Sequence, residues 1–298
     1  MFKNVIVYRI GPGWAAQLAQ MEESLQTARF VPCGASQEKS FGWVEPRGEA
    51  HGPLVEAVGG QLIMKFMTEA KVLPGPVVNR KAQERLEQIE ATTGRKPGKK
   101  ETREIKEDVR LALLPMAFTK QAKTTVWIDP QAQLLVIDAA SQGRADEVVT
   151  ALVTAFDGLN LALLNTTTSP VAAMSEWLTS QEPPAGFSVD RECELKAADE
   201  SKAVVRYSRH ALDTDEVRQH IAVGKLPTKL ALTWEGRVSL LLTESLQVKK
   251  IAFLEGVFDG SSQEKEDGFD ADAAIATGEL RKLIPDLLEA LGGEVALG

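Results

Sequence analysis

The chain has 298 residues, and 44% of them are hydrophobic, which provides core material for one large domain or for two to three smaller ones. Its formal net charge of -8, if evenly spread, would argue against a nucleic-acid partner, because an acidic surface repels a polyanion. Two cysteines, Cys33 and Cys193, without C-x-x-C spacing, exclude a disulfide framework and a cysteine-based zinc motif.

The sequence also predicts where the protein resides. It contains no run of eighteen apolar residues, and its first ten residues have the pattern of a β-strand and lack the regions of a signal peptide. Free thiols are typical of a reducing compartment. We therefore expect a cytoplasmic protein that makes no membrane contact.

The first part of the chain predicts strands and one helix. A strand over residues 2–10 is followed by a helical pattern that carries Trp14, Leu18, Met21 and Leu25. Residues 60–73 have the alternation of a strand, and the Pro-Gly-Pro sequence at 74–76 ends it.

Residues 77–114 predict a helical hairpin. A helix over 77–91 is broken by T-T-G-R-K-P-G, and a second helix covers 99–114. The second helix has an apolar stripe (Ile105, Val109, Ala112, Leu113), a cationic stripe (Lys99, Arg103, Lys106, Arg110) and an acidic side (Glu101, Glu104, Asp108). Residues 79–123 hold twelve basic and seven acidic side chains, a local charge of +5 in an acidic protein.

The rest of the chain returns to strands. We predict a β-hairpin from 123–129 and 134–139, helices over 143–157 and from 171, and a domain boundary at E182-P-P-A-G. Two strands within 187–208 precede D213-T-D-E216, which has the order of a capping box, and a helix ending at Gly224. Three strands, an acidic loop and a helix to Leu291 follow, so the fold class is α+β with mainly antiparallel sheets.

Catalytic motifs are missing from the sequence. The glycine-rich phosphate-binding signatures, H-E-x-x-H and G-x-S-x-G do not occur, and His51, His210 and His220 are the only histidines. The acidic loop 259–270 lacks the ligand spacing of an EF-hand, which favours a solvated loop. We expect no enzyme activity, no cofactor and no metal site.

The cationic helix leaves two interpretations open. Charge runs on helices are often solvated faces, whereas six bases within residues 95–106 exceed the two acids there and would suit phosphate. Phe118 is similarly open, because it could belong to the core, to an interface or to a stacking surface.

Short segments distributed over nearly the whole chain resemble the recombination-associated RdgC family. They are F2-K-N-V-I-V-Y-R, V31-P-C-G, G42-W-V-E-P, K71-V-L-P-G-P-V, L113-L-P-M-A-F, W127-I-D, G224-K-L-P-T-K-L-A-L-T-W, F269-D-A-D and L288-E-A-L-G-G-E. None of these segments is a catalytic signature. Their number and order carry the resemblance.

The resemblance implies a non-catalytic, nucleoid-associated protein whose crescent protomers close as a homodimeric ring around duplex DNA and restrain RecA-driven recombination. It implies a central region (1–75 and 117–181), a helical tip (76–116) and a basal region (182–298). The L-L-P-M-A-F segment matches the dimer contact of the family, which moves Phe118 towards an interface. The family often has arginine at the position of Met116 and lysine at that of Ser208, so single charges can differ from the family plan.

These considerations yield a set of candidate residues and an alternative function. The alternative is a protein whose basic hairpin docks an acidic protein partner, and an enzyme with an unrecognised site is a more distant possibility. The dimer candidates are Leu114, Pro115 and Phe118. The DNA-binding candidates are Arg95, Lys96, Lys99, Lys100, Arg103, Lys106, Arg110, Lys120, Lys123, Arg209, Lys225 and Lys229.

Overall fold

A computed structural model describes residues 1–257 and 268–295, and it confirms a mixed helix and sheet fold with a large antiparallel sheet. The strands are β1 (Val5–Ile10), β2 (Lys39–Val44), β3 (Val55–Val58), β4 (Gln61–Val72), β5 (Phe118–Asp129), β6 (Leu134–Asp138), β7 (Leu161–Leu163), β8 (Phe187–Ala197), β9 (Val204–Ser208), β10 (Lys225–Trp234), β11 (Val238–Thr243) and β12 (Val248–Phe253). The helices are α1 (Leu18–Gln26), α2 (Gly75–Thr93), α3 (Lys99–Leu113), α4 (Gln142–Ala155), α5 (Pro170–Ser180), α6 (Asp215–Ala222) and α7 (Gly268–Ala290), with a 3-10 turn at Leu114–Met116.

The strands pair in the order β2-β4-β5-β6-β1-β12-β11-β10-β8-β9, while β3 pairs with β4 and β7 pairs with β1. The pairings β1–β6, β10–β11, β2–β4 and β8–β9 are antiparallel. The register of the β8–β10 pairing shifts twice, between Pro227 and Lys229 and between Leu230 and Leu232.

The chain divides into two compact units. The first unit contains residues 1–24, 45–64 and 125–298, and the second contains 25–44 and 65–124. Strands β4 and β5 each contribute to both units. The division into central, tip and basal regions stays a prediction.

The core of the first unit lies between its sheet and the helices α5, α6 and α7. Trp127 is fully buried beside Phe2, and its indole Nε1 donates to Gln61 Oε1 at 2.8 Å. Trp234 Nε1 donates to Asp286 Oδ2 of α7 at 2.9 Å. Both large aromatic side chains are therefore buried without leaving a polar atom unsatisfied.

In the second unit, α2 and α3 pack through a small cluster of Ala82, Ile105 and Val109. Helix α2 ends at Gly94, whose φ of 67° is left-handed and whose N–H donates to Glu90 O. In β2, a Cβ on Gly42 would lie 2.5 Å from the backbone of Phe30, so only glycine fits there.

Several local expectations differ from the structure. Helix α1 begins only at Leu18, and β2, β3 and β7 were not predicted. The capping box is wrong, because Thr214 occupies the N-cap of α6 without a side-chain cap and Glu216 instead accepts from Tyr207 Oη at 3.0 Å. The greater part of the acidic loop 259–270 lies outside the described residues.

Candidate nucleic-acid interface

Helix α3 carries the densest group of candidate residues. Gly98 stands at its N-cap in an extended conformation, and the helix has a strongly amphipathic pattern. Ile105 and Val109 are buried against α2, and their burial fixes the rotation of the helix about its axis. Lys99, Arg103 and Lys106 therefore lie on the exposed surface.

Three of the predicted DNA-binding residues near this helix form ion pairs. Arg95 reaches both carboxylate oxygens of Glu101, at 3.0 and 3.1 Å. Arg110 Nε lies 2.8 Å from Glu38 Oε1, and Lys100 is 3.9 Å from Glu104. These pairs are solvent-exposed and neutralise charge locally without adding much stability.

Four other basic residues in or beside this helix are not engaged in ion pairs among the described residues. Lys96, Lys99, Arg103 and Lys106 are exposed and make no ion pair within the described part of the chain. We call these four residues, Lys96 just before α3 and the other three on α3 itself, the free cationic stripe. Their charge is available to a polyanion without the loss of an existing ion pair.

Strand β5 contributes Lys120 and Lys123, both exposed. A separation of three residues along a strand places them on opposite faces. Lys123 lies close to Lys65 of β4, where burial lowers the pKa of Lys65 and the neighbouring Lys123 ammonium lowers it further. The two ammonium groups therefore lie near enough to repel each other.

The first unit holds Lys229 in a different environment. Lys229 Nζ lies 3.1 Å from Glu194 Oε1, while Arg206 Nε lies 2.6 Å from Glu194 Oε2. Thr228 Oγ1 also donates to Glu194 at 2.8 Å. The Arg206 hydrogen bond, then those from Thr228 and Lys229, lower the pKa of Glu194 to about 2. We call Arg206, Glu194 and Lys229 the Glu194 cluster.

Lys225 and Arg209 complete the predicted set. Lys225 Nζ lies 2.9 Å from Nδ1 of His220. Arg209 is exposed, with a left-handed φ of 56°, beside an open groove of about 630 Å³. Asp190 and Glu192 also line this groove, so the surroundings of Arg209 are of mixed charge.

The three dimer candidates are not equivalent. Phe118 is 85% exposed, which excludes the core interpretation, and the neighbouring Met116 is 74% exposed. Pro115 is also exposed, whereas Leu114 is fully buried at the start of the 3-10 turn. A protruding phenylalanine is costly in water and is typical of an interface.

Three residues that influence the predicted DNA-binding lysines were not predicted from the sequence. They are Lys65 beside Lys123, Arg206 on the carboxylate of Lys229, and His220 beside Lys225. Lys65 and Lys123 are 58 positions apart, and Arg206 meets Lys229 only because β9 and β10 both flank β8. The spacing of His220 and Lys225 is short, but the intervening turn hides their contact from a periodicity analysis.

The described part of the chain contains neither a cluster of metal ligands nor a membrane-spanning helix. Across residues 1–257 and 268–295, no group of three or more histidine, cysteine or acidic residues is placed to hold a metal ion. Within the same ranges, the helices are too short or too polar to span a lipid bilayer.

Comparison with known proteins places this mixed antiparallel fold with its basic helix in one family. A sequence profile described as "RdgC: Putative exonuclease, RdgC" matches residues 1–294. A Dechloromonas aromatica protein named "Recombination-associated protein RdgC" is 44% identical over 300 residues, covering 99% of this chain and 98% of the relative. Proteins of the same name from Cupriavidus pinatubonensis and Bordetella pertussis are each 45% identical, with 98% of both chains covered.

The chain therefore belongs to the RdgC family. The name shared by these relatives supports a role in DNA recombination.

Proposed function

We propose that this protein binds duplex DNA without reading its sequence and that α3 is its principal phosphate-contacting element. The observation that carries the proposal is the free cationic stripe, four exposed bases without acidic partners in the described part of the chain. Lysine and arginine contacts to phosphate fix the position of a duplex but carry no base information.

The acidic net charge is compatible with this function. A local excess of positive charge attracts the backbone, while the acidic remainder keeps the protein soluble and discourages DNA from binding elsewhere. Residues 255–298 hold eleven acids and three bases, so charge is distributed very unevenly along the chain.

We further propose that the binding unit is a homodimer. Phe118, with Met116 and Pro115 beside it, provides an exposed apolar surface that a second copy would cover. Contacts related by a twofold axis at such a surface would allow two protomers to close as a ring around a duplex.

A recombination role would then be passive. A protein that encloses duplex DNA in the nucleoid occupies the substrate of RecA-driven strand exchange and so restrains it, with no active site required. The alternative is that the same basic surface docks an acidic protein, since charge complementarity alone does not distinguish the two polyanions.

The first experiment is fluorescence anisotropy of two duplexes of unrelated sequence across about 50 to 300 mM salt. Four phosphate contacts per protomer, eight in the proposed dimer, give a log-log slope of about -7.2, and both duplexes should bind equally. Absence of binding at low salt, together with binding of polyglutamate, would favour the protein-docking alternative. The same mixtures with Mg²⁺ should leave the DNA intact, and progressive shortening from its ends would instead support an exonuclease.

A further inference from the structure

Lys225 is held by a titratable partner. Its Nζ lies 2.9 Å from Nδ1 of His220 in the last turn of α6. An ammonium group can only donate hydrogen bonds, so Nδ1 must accept and the imidazole must be neutral in this arrangement. The His220 side chain is 26% exposed, which leaves it open to protonation from solvent.

The contact of Lys225 with His220 differs chemically from the ion pair that Lys229 makes with Glu194. Lys229 is in an ion pair with Glu194, which it shares with Arg206, whereas Lys225 contacts a neutral imidazole that carries no opposing charge. Of the two lysines of β10 in the candidate set, Lys225 is the one whose charge stays available to a phosphate.

We propose that His220 is a positioning residue for Lys225 and that its protonation strengthens duplex binding at acidic pH. The inference rests on the proposed duplex binding and adds its regulation.

Protonation changes the contact in a defined way. Both ring nitrogens of an imidazolium are donors, so Nδ1 can no longer accept from Lys225, and two positive charges would face each other at hydrogen-bond distance. Lys225 is then released from the ring and can extend towards a phosphate. The imidazolium adds a second positive charge at the same place.

Other charged and titratable groups lie around the two side chains. Glu216 Oε1 of the same helix lies 3.9 Å from His220 Nε2 and can pair with the imidazolium. The centroid of the Tyr207 ring of β9 lies 6.4 Å from that of His220, and Asp199 before β9 interacts with Lys225.

The test compares wild type with His220→Gln in the anisotropy assay at several pH values between about 5.5 and 8, the range in which histidine changes charge. Glutamine retains an acceptor for Lys225 but cannot titrate. His210→Gln is the matched control, because His210 also contacts the Tyr207 ring, at 5.4 Å. The chain has only three histidines, so His51→Gln completes the set.

Wild type and both control variants should gain affinity at acidic pH, by about three- to ten-fold for each additional phosphate contact, and their salt slope should steepen by about 0.9 per protomer. His220→Gln should show no gain, because glutamine holds Lys225 at every pH. His220→Ala releases Lys225 at every pH and should therefore bind more tightly than wild type at pH 8. An equal gain in His220→Gln would overturn the inference while leaving duplex binding intact. No wild-type binding at pH 8 and low salt would instead refute the proposed function.

Discussion

The free cationic stripe on α3 and the Glu194 cluster use the same residue types in opposite ways. On α3, Lys99, Arg103 and Lys106 are exposed and have no acidic partner among the described residues. In the Glu194 cluster, Arg206 and Lys229 share a carboxylate whose side chain is only 15% exposed. The first arrangement supplies charge to a ligand, and the second pairs two cations with one carboxylate, which leaves a net charge of +1.

The comparison shows that a count of basic residues overstates the charge that DNA can reach. Arg95, Arg110 and Lys229 are each in an ion pair, although the sequence did not distinguish them from Lys99. The measurements below separate the two kinds of cation.

The largest effect is expected for the triple variant Lys99→Glu, Arg103→Glu, Lys106→Glu. Loss of three phosphate contacts per protomer, six in the proposed dimer, removes about 5.4 from the log-log salt slope and should weaken duplex binding at least about 100-fold at 0.1 M salt. Stability should change by less than about 0.5 kcal/mol, because these side chains are exposed. Fluorescence anisotropy measures the duplex affinity, and urea denaturation measures the stability.

The matched control is Lys3→Glu, Lys202→Glu, Lys282→Glu, which makes a similar change in net charge at exposed lysines of the other unit. Its affinity should fall only slightly. Equal losses in the two triple variants would mean that total charge, and not α3, governs binding.

The next effect concerns the Glu194 cluster. Glu194→Gln should lower the free energy of unfolding by about 2 kcal/mol at pH 7, because Arg206 and Lys229 lose a shared carboxylate. The pKa of Glu194 is lowered from 4.5 to about 2, so this stabilisation is present above pH 4.5 and is lost as the pH falls towards 2.

Urea denaturation of both proteins between pH 7 and pH 2.5 measures this difference. The curves should converge on acidification. A constant gap over that range would show that packing, and not the charge of Glu194, provides the stability.

A smaller effect, on dimerisation, is expected at the exposed apolar surface around Phe118. Phe118→Ser should raise the dimer dissociation constant about ten-fold, since an exposed aromatic ring that becomes buried at an interface contributes more than about 1 kcal/mol. Sedimentation velocity measures the association. Leu18→Ser provides a control, because Leu18 is also an exposed apolar residue, and a similar shift in that variant would contradict the assignment of the interface.

The smallest effect is expected from releasing a paired cation. Glu101→Gln frees Arg95 and should raise duplex affinity two- to eight-fold at about 0.1 M salt, with less than about 0.5 kcal/mol change in stability. A salt series should show a slope steeper by up to about 0.9. Unchanged affinity would place Arg95 away from the phosphates.

Much of the fold could be predicted from the sequence, because periodicity and turn residues are local signals. The β5–β6 hairpin and the helices α2 and α3 are examples. The strand β2 was missed because Gly42 interrupts its pattern and is required by a close approach of Phe30. The predicted capping box does not form, because the Glu216 carboxylate of α6 accepts a hydrogen bond from Tyr207 of β9.

The candidate site was only partly predictable, because contacts between distant strands leave no local signal in the sequence. The rotation of α3, and hence its cationic face, follows from its own sequence, whereas the ion pair of Lys229 depends on strand register. The same register brings Arg206 opposite Glu194, which no spacing in the chain reveals.

Lysine footprinting tests the central claim most directly. The protein is acetylated with and without saturating duplex, and the modification of each lysine is measured by mass spectrometry. We predict strong protection of Lys96, Lys99 and Lys106 by the duplex, with Lys3, Lys202 and Lys282 reacting equally in both samples. Equal reaction of the α3 lysines in the two samples would contradict the proposal that the free cationic stripe binds the phosphate backbone.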